Sequence, residues 1–325
     1  MSEPVISPAG FHPNGKPKQF IVLQSPVSDR IPGFVLANSL CLVCHGLPIT
    51  RKDSGPTKHP ICGCEEPTQY PVVVPDVAKG RDVILCGSGP SLPKVKNLLQ
   101  VHPEADVWAC NDALMWLTRR GLKVSHGVGI DQSPDLYTTC WTEPPAVTYL
   151  LASSASHQLY AYLIRWRHRD RIRIFHSFIG FEGEEELYRL LYPQAPLVGS
   201  GLNVVNRAIP LAVFMGYGTI YVVGADCALG KNDTFHVGET TPETGIILRG
   251  KVNGKRWATK PDMLASACDL TRQKWDMGER LQLIGDTLPN ALVAKDEAFL
   301  ARCASWGNPD PRQPLTRQVV SVDSR

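Results

Sequence analysis

Glycines, acids and amides in this chain cluster where the backbone should change direction, and their chemistry is that of anion binding. Gly87, Ser88, Gly89, Pro90 and Ser91 follow the apolar run Val83-Ile84-Leu85-Cys86 and precede a helical segment. A strand feeding such a turn can build a phosphate site. The first amides of a helix lack intrahelical partners, glycine lets a ligand approach the main chain, and the helix dipole favours negative charge. The same residues also suit an ordinary strand-to-helix turn with Ser91 as its cap. Asn111 and Asp112 follow a second apolar run. An amide there can donate to and accept from a ribose or base, or cap the next helix. Asp131 and Asp226 each stand just past a further strand, a placement that suits Mg²⁺ shared with phosphate oxygens, or a turn cap. Gly199-Ser200-Gly201-Leu202-Asn203 repeats the physics of the first turn, so Ser200, Gly201 and Asn203 are candidates for gripping another part of the ligand. His236 has the ionisation range of a general base, and Lys260 could meet a phosphate as a point charge; both also fit plain loop roles.

The elements that must position these groups are legible from Asp82 onward. Short apolar strands at 82–86, 106–110, 124–129, 147–151, 171–175, 219–223 and 281–284 alternate with helical segments at 93–100, 112–120, 156–168, 183–191, 202–215, 261–277 and 291–302. That alternation predicts a doubly wound α/β domain with a mostly parallel sheet over 81–305, followed by a C-terminal tail over 306–325. Pro210 should kink the apolar helix after Asn203. The stretch 227–257 reads as a long polar excursion of the kind that forms a flap over a site.

Residues 1–80 read as a small N-terminal extension rich in proline and glycine. Cys41, Cys44, Cys62 and Cys64 fall there in a C-x2-C-x17-C-x-C pattern. Two close thiolate pairs can fill the four tetrahedral positions of a structural Zn²⁺, leaving none open for catalysis. The other six of the ten cysteines are scattered as reduced, apolar-behaving thiols would be. A net charge of +3 across 325 residues excludes a strongly basic nucleic-acid binder, and the basic run from Arg165 to Arg173 suits a solvated helix end entering a strand, with phosphate contacts as the alternative. No apolar run reaches the roughly 20 residues of a membrane span, and the first 18 residues lack the apolar centre of a signal peptide, so the expected location is cytoplasmic.

Taken together, Gly87-Ser88-Gly89-Pro90-Ser91-Leu92, Asn111-Asp112-Ala113-Leu114, Ile130-Asp131 and Gly224-Ala225-Asp226 resemble the MptE-like Rossmann proteins. Their MptE branch comprises 6-hydroxymethyl-7,8-dihydropterin pyrophosphokinases, so the resemblance implies transfer of diphosphate from ATP with Mg²⁺. The pattern is also similar to bacterial sialyltransferases that use CMP-sialic acid, through Cys110-Asn111, Ser200-Gly201 and Gly216-Tyr217-Gly218-Thr219-Ile220-Tyr221. That second resemblance implies a histidine that deprotonates an acceptor hydroxyl, for which His236 is the candidate. The expected partners are a nucleotide, ATP or CMP-linked, and a small-molecule or glycan acceptor. A non-catalytic nucleotide-binding or assembly protein on the same scaffold is the remaining alternative.

Overall fold

The computed structural model describes residues 6–11, 17–21, 70–131, 139–153, 155, 157–178, 196–230, 233–239, 242 and 245–305. Near the N-terminus, β1 (Ile6–Phe11) and β2 (Pro17–Ile21) form a two-stranded antiparallel ladder. The four cysteines of the zinc pattern and the helix expected at 183–191 lie outside the described residues.

The main domain opens with β3 (Val83–Cys86), a 3₁₀ turn at Leu92–Lys94 and α1 (Val95–Val101). It continues with β4 (Asp106–Cys110), α2 (Ala113–Thr118), β5 (His126–Gly129), β6 (Thr148–Ala152), α3 (His157–Arg165), β7 (Ile172–Phe178) and β8 (Leu197–Ser200). After α4 (Val204–Phe214) and β9 (Ile220–Val223) come the hairpin strands β10 (Leu248–Val252) and β11 (Lys255–Thr259). The domain closes with α5 (Pro261–Met277), β12 (Leu281–Leu283) and α6 (Leu288–Ser305). Eight strands form one sheet in the order β12-β9-β3-β4-β5-β6-β7-β8, and every neighbouring pair is parallel. Parallel neighbours need crossovers, and the crossover helices cover both faces, which is why strands such as Val83–Cys86 are apolar at every position.

Alternate strand residues feed two cores. Val83 and Leu85 pack with Trp108, Leu150, Ile209 and Leu270 beneath α4 and α5, while Ile84 and Cys86 pack with Leu114, Tyr149 and Leu163 beneath α2 and α3. Tyr70, Val73 and Ala78 are buried in these cores, and the Val73 amide donates to Ile174 O at 2.9 Å, so the packed domain begins about ten residues earlier than composition suggests.

From β3 the chain steps outward to β8, then returns to the far side of β3 as β9. That reversal is the topological switch point, and ligands of open α/β sheets bind beyond the strand ends there. Two local outcomes differ from the sequence expectation. Gly199 and Ser200 end strand β8 and do not open a helix; the turn is Gly201-Leu202-Asn203. The excursion 227–257 contains the hairpin β10–β11, closed by Asn253 and Gly254 at positive φ (51° and 77°). Pro210 lies inside α4 and removes the amide that would serve the Asn206 carbonyl; Gln273 Nε2 from α5 donates to that oxygen at 3.1 Å in its place.

Candidate functional site

The ends of β3 and β9 meet in a crevice of about 290 Å³ lined by both glycine-bearing turns, Asn111, Asp131, Asp226 and His236. The backbone of the first turn touches the end of β9 and Gly224 just beyond it. Gly87 N donates to Val223 O (2.8 Å) and Gly89 N to Gly224 O (2.7 Å), and a Cβ on Gly87 or on Gly224 would run into the other's carbonyl oxygen. Only glycine permits this approach.

That closeness corrects the expected anion cradle. Besides those two amides, Ser91 N donates to Asp226 Oδ2 (2.9 Å) and Leu92 N to Gly89 O (3.0 Å), and the following helix begins as a 3₁₀ turn in which Lys94 N reaches Ser91 O. Pro90 has no amide to offer. Among the described residues, Ser88 N is the one amide of the turn left without an acceptor. Ser91 stands at the N-cap position of that turn, but its side chain makes no capping bond. Its Oγ donates to Asp226 Oδ2 (2.9 Å) and accepts from Gly224 N (3.0 Å). Asp226 is thus the clamp that ties the first turn to β9. Burial raises its pKa, opposed by the hydrogen bonds from Ser91 and by the Lys94 charge. Oδ2 holds two donors and packs against Gly89, so this oxygen of the carboxylate is committed to the clamp.

Unpaired amides occur instead at the start of α4. Asn203 is its N-cap, accepting from Asn206 N at 2.9 Å, while Val204 N and Val205 N meet no acceptor among the described residues. Gly201 packs against the Asn206–Arg207 backbone, and its carbonyl accepts from the buried Arg207 Nε at 2.9 Å. The positive end of an eleven-residue helix therefore faces the crevice with two amides open.

Asn111 sits in the left-handed region (φ 47°), its carbonyl accepting from Trp141 Nε1 (3.0 Å). Its Nδ2 donates to Asp131 Oδ2 at 2.8 Å. Because a carboxylate only accepts, this fixes the amide orientation and leaves Oδ1 buried without a partner among the described residues. An orphaned acceptor in a crevice matches a hydroxyl or amino donor on a ligand.

His236 is brought to the crevice by its loop, whose Val237 N donates to Ser88 O (2.7 Å). Its Nδ1 lies 2.6 Å from Ser88 Oγ and 4.0 Å from Asp112 Oδ2. Both partners address the same ring nitrogen, so the three do not form a serine–histidine–aspartate relay, in which serine and acid occupy opposite nitrogens. The Asp112 carboxylate favours the tautomer with its proton on Nδ1, donated to Ser88. That tautomer puts the free lone pair on Nε2.

The crevice thus gathers Gly87, Ser88, Gly89, Asn111, Asp112, Asp131, Asn203, Asp226 and His236, and its lining does not include Pro90, Ser91 or Gly201; the Ser200 side chain lies outside the described residues. Residues not singled out from sequence also line it: Cys227, Phe235 and Met263. Phe235 adjoins the histidine and carries a local signal, whereas Cys227, held at φ 52°, and Met263 carry none. The crevice thiols are no nucleophiles, since burial pushes Cys227 up to about 12 and Cys110 higher still. Among the described residues, no group of three metal-ligating side chains occurs. No described helix is long and apolar enough to cross a membrane.

Residues 66–232 match the family described as 6-hydroxymethylpterin diphosphokinase MptE-like. No curated protein matches the chain. Among solved structures, the MAf glycosyltransferase from Magnetospirillum magneticum AMB-1 is similar in fold, with a TM-score of 0.51 and 15% identity. That likeness covers 70% of this chain and 38% of the other, so this chain spans well under half the length of that protein.

Proposed function

We infer that this chain, which belongs to the MptE-like family, is a transferase that moves a group from a nucleotide-linked donor onto an acceptor hydroxyl. The observation that carries this reading is His236, fixed through Nδ1 on Ser88 at a switch-point crevice with Nε2 left to act as base. Asn111 Oδ1 would accept from a ribose hydroxyl or base amino group, and the open amides of Val204 and Val205 would take the phosphate.

The residues suit glycosyl transfer from a CMP-linked donor. The acceptor O–H proton passes to His236 Nε2 and the acceptor oxygen bonds to the sugar carbon. The bond from that carbon to the phosphate oxygen breaks, and its electron pair leaves with CMP. No second carboxylate is required, which accords with Asp226 serving as a clamp.

Diphosphoryl transfer from ATP is the second reading, favoured by the description of the family. Asp131 is then the residue that would hold Mg²⁺ together with the phosphates, and the ion would neutralise their charge. His236 would again take the acceptor proton.

Thermal unfolding with CMP, CTP and ATP, each with and without Mg²⁺, separates these readings, because a ligand of the native state raises stability by about 2.7 kcal/mol at 100 times its Kd. Stabilisation by CMP without metal supports glycosyl transfer, and stabilisation by ATP only with Mg²⁺ supports diphosphoryl transfer. A response to none of them leaves an assembly protein on the same scaffold.

A further inference from the structure

The hairpin β10–β11 places Arg249, Lys251 and Arg256 on one face, because Arg249 pairs with Ala258 and Lys251 lies directly across from Arg256. All three are exposed. Among the described residues none of them makes an ion pair or hydrogen bond, in contrast to Lys255 on the opposite face, which pairs with Asp286 at 2.5 Å and lies over the Trp257 ring. Like charges directly across an antiparallel ladder destabilise it. The face is also concave. With Leu229, Gly230 and Asp233 it bounds a groove of about 540 Å³, in which the Asp233 carboxylate is the one acidic group among the described residues.

The position of the groove suggests its use. Residues 227–230 and 233–239 form a shared wall: Cys227, Phe235 and His236 face the crevice, while Leu229, Gly230 and Asp233 face the groove. The wall is held from both sides, by Leu229 N donating to Ala258 O (2.8 Å) and by Val237 N donating to Ser88 O (2.7 Å).

We propose that this groove binds a multiply charged anionic group, phosphate or carboxylate, carried by the acceptor, with the Arg249 and Arg256 guanidiniums and the Lys251 ammonium as its ligands. Guanidinium forks match the paired oxygens of either anion, and an anion between Lys251 and Arg256 turns their repulsion into attraction. That the anion belongs to the acceptor rests on the transferase reading; the anion site itself does not.

The test titrates the full chain at low ionic strength with inorganic tripolyphosphate and with citrate, following the heat of binding. Saturable binding of tripolyphosphate over citrate assigns a phosphate-bearing ligand, and the reverse assigns a carboxylate-bearing one. The combined R249A, K251A and R256A substitutions are expected to weaken binding by about tenfold or more. Lys251→Thr should raise the melting temperature without anion by about 1–3 °C and remove most of the anion-induced rise. Binding unchanged in the triple variant, or no binding of either anion to the wild type, overturns the proposal. Asp131→Asn separates it from the transferase reading: nucleotide binding falls in that variant if the crevice reading holds, while anion binding at the hairpin persists either way.

Discussion

Asp226→Ala removes the acceptor for two donors at once, the Ser91 amide and the Ser91 hydroxyl, each 2.9 Å from Oδ2. Both lie in a buried setting, with Ser91 8% and Asp226 9% exposed. A buried donor left without a partner costs about 1–3 kcal/mol, and removing a carboxylate that burial disfavours returns part of that. The expected net loss is about 2–4 kcal/mol, read as a lower urea midpoint at unchanged slope. Asp226→Asn keeps an oxygen that can accept both bonds and sheds the desolvated charge, so its stability should stay within about 1 kcal/mol of wild type at neutral pH. Burial raises the Asp226 pKa in the folded chain. Its contribution is therefore present below the unfolded value and is lost as pH rises through the folded value. Wild type should gain stability relative to D226N as pH falls, with that sign. Nucleotide binding should survive in D226N. The clamp assignment is wrong if D226A unfolds within about 0.5 kcal/mol of wild type, or if D226N folds normally yet binds no nucleotide.

Gln273→Ala should cost about 1–2 kcal/mol by orphaning the Asn206 carbonyl, and much less on a Pro210→Ala background, where residue 210 regains an amide; additive losses in the double-mutant cycle would contradict this. His176 is 2% exposed, and burial lowers its pKa to about 4. Its contribution is present above the unfolded value of about 6.5 and is lost as pH falls to about 4, up to about 3 kcal/mol in all. His176→Gln should flatten the stability profile over that window, and an unchanged profile would refute the assignment. Protein purified under reducing, chelator-free conditions should carry about one zinc per chain, lost in a Cys41→Ser, Cys44→Ser variant, if Cys41, Cys44, Cys62 and Cys64 hold a structural ion; metal analysis without zinc would remove that site.

Much of the fold is legible because its signals are local. The apolar runs of β3, β4 and β9 and the start of α5 at Pro261, with Gly278 after its end, announce themselves within a few residues. Strand β8 is hidden because Gly199 and Gly201 signal a turn. The hairpin is hidden because its exposed strands carry charges where apolar alternation would mark them, although Asn253-Gly254 is a strong turn signal in itself. The site divides in the same way. Ser88, Asn111, Asp131 and His236 are visible as residue types at strand ends or in a polar loop. The saturation of the glycine-turn amides is not, because their partners Val223, Gly224 and Asp226 come from a strand more than 100 residues away, and only the close approach of β3 and β9 reveals it. The pairing of Ser88 with His236 spans 148 residues and is invisible for the same reason.

The most direct measurement is a titration of the ¹⁵N-labelled, deuterated full chain with CMP, following assigned backbone amides and the His236 ring. If the donor phosphate rests on the start of α4, the Val204 and Val205 amides shift strongly, with Asn111 and His236 responding and Gly87, Gly89 and Leu92 nearly still. Large shifts confined to Gly87–Leu92 would contradict that placement, and no shift at any of these residues would contradict nucleotide binding in the crevice.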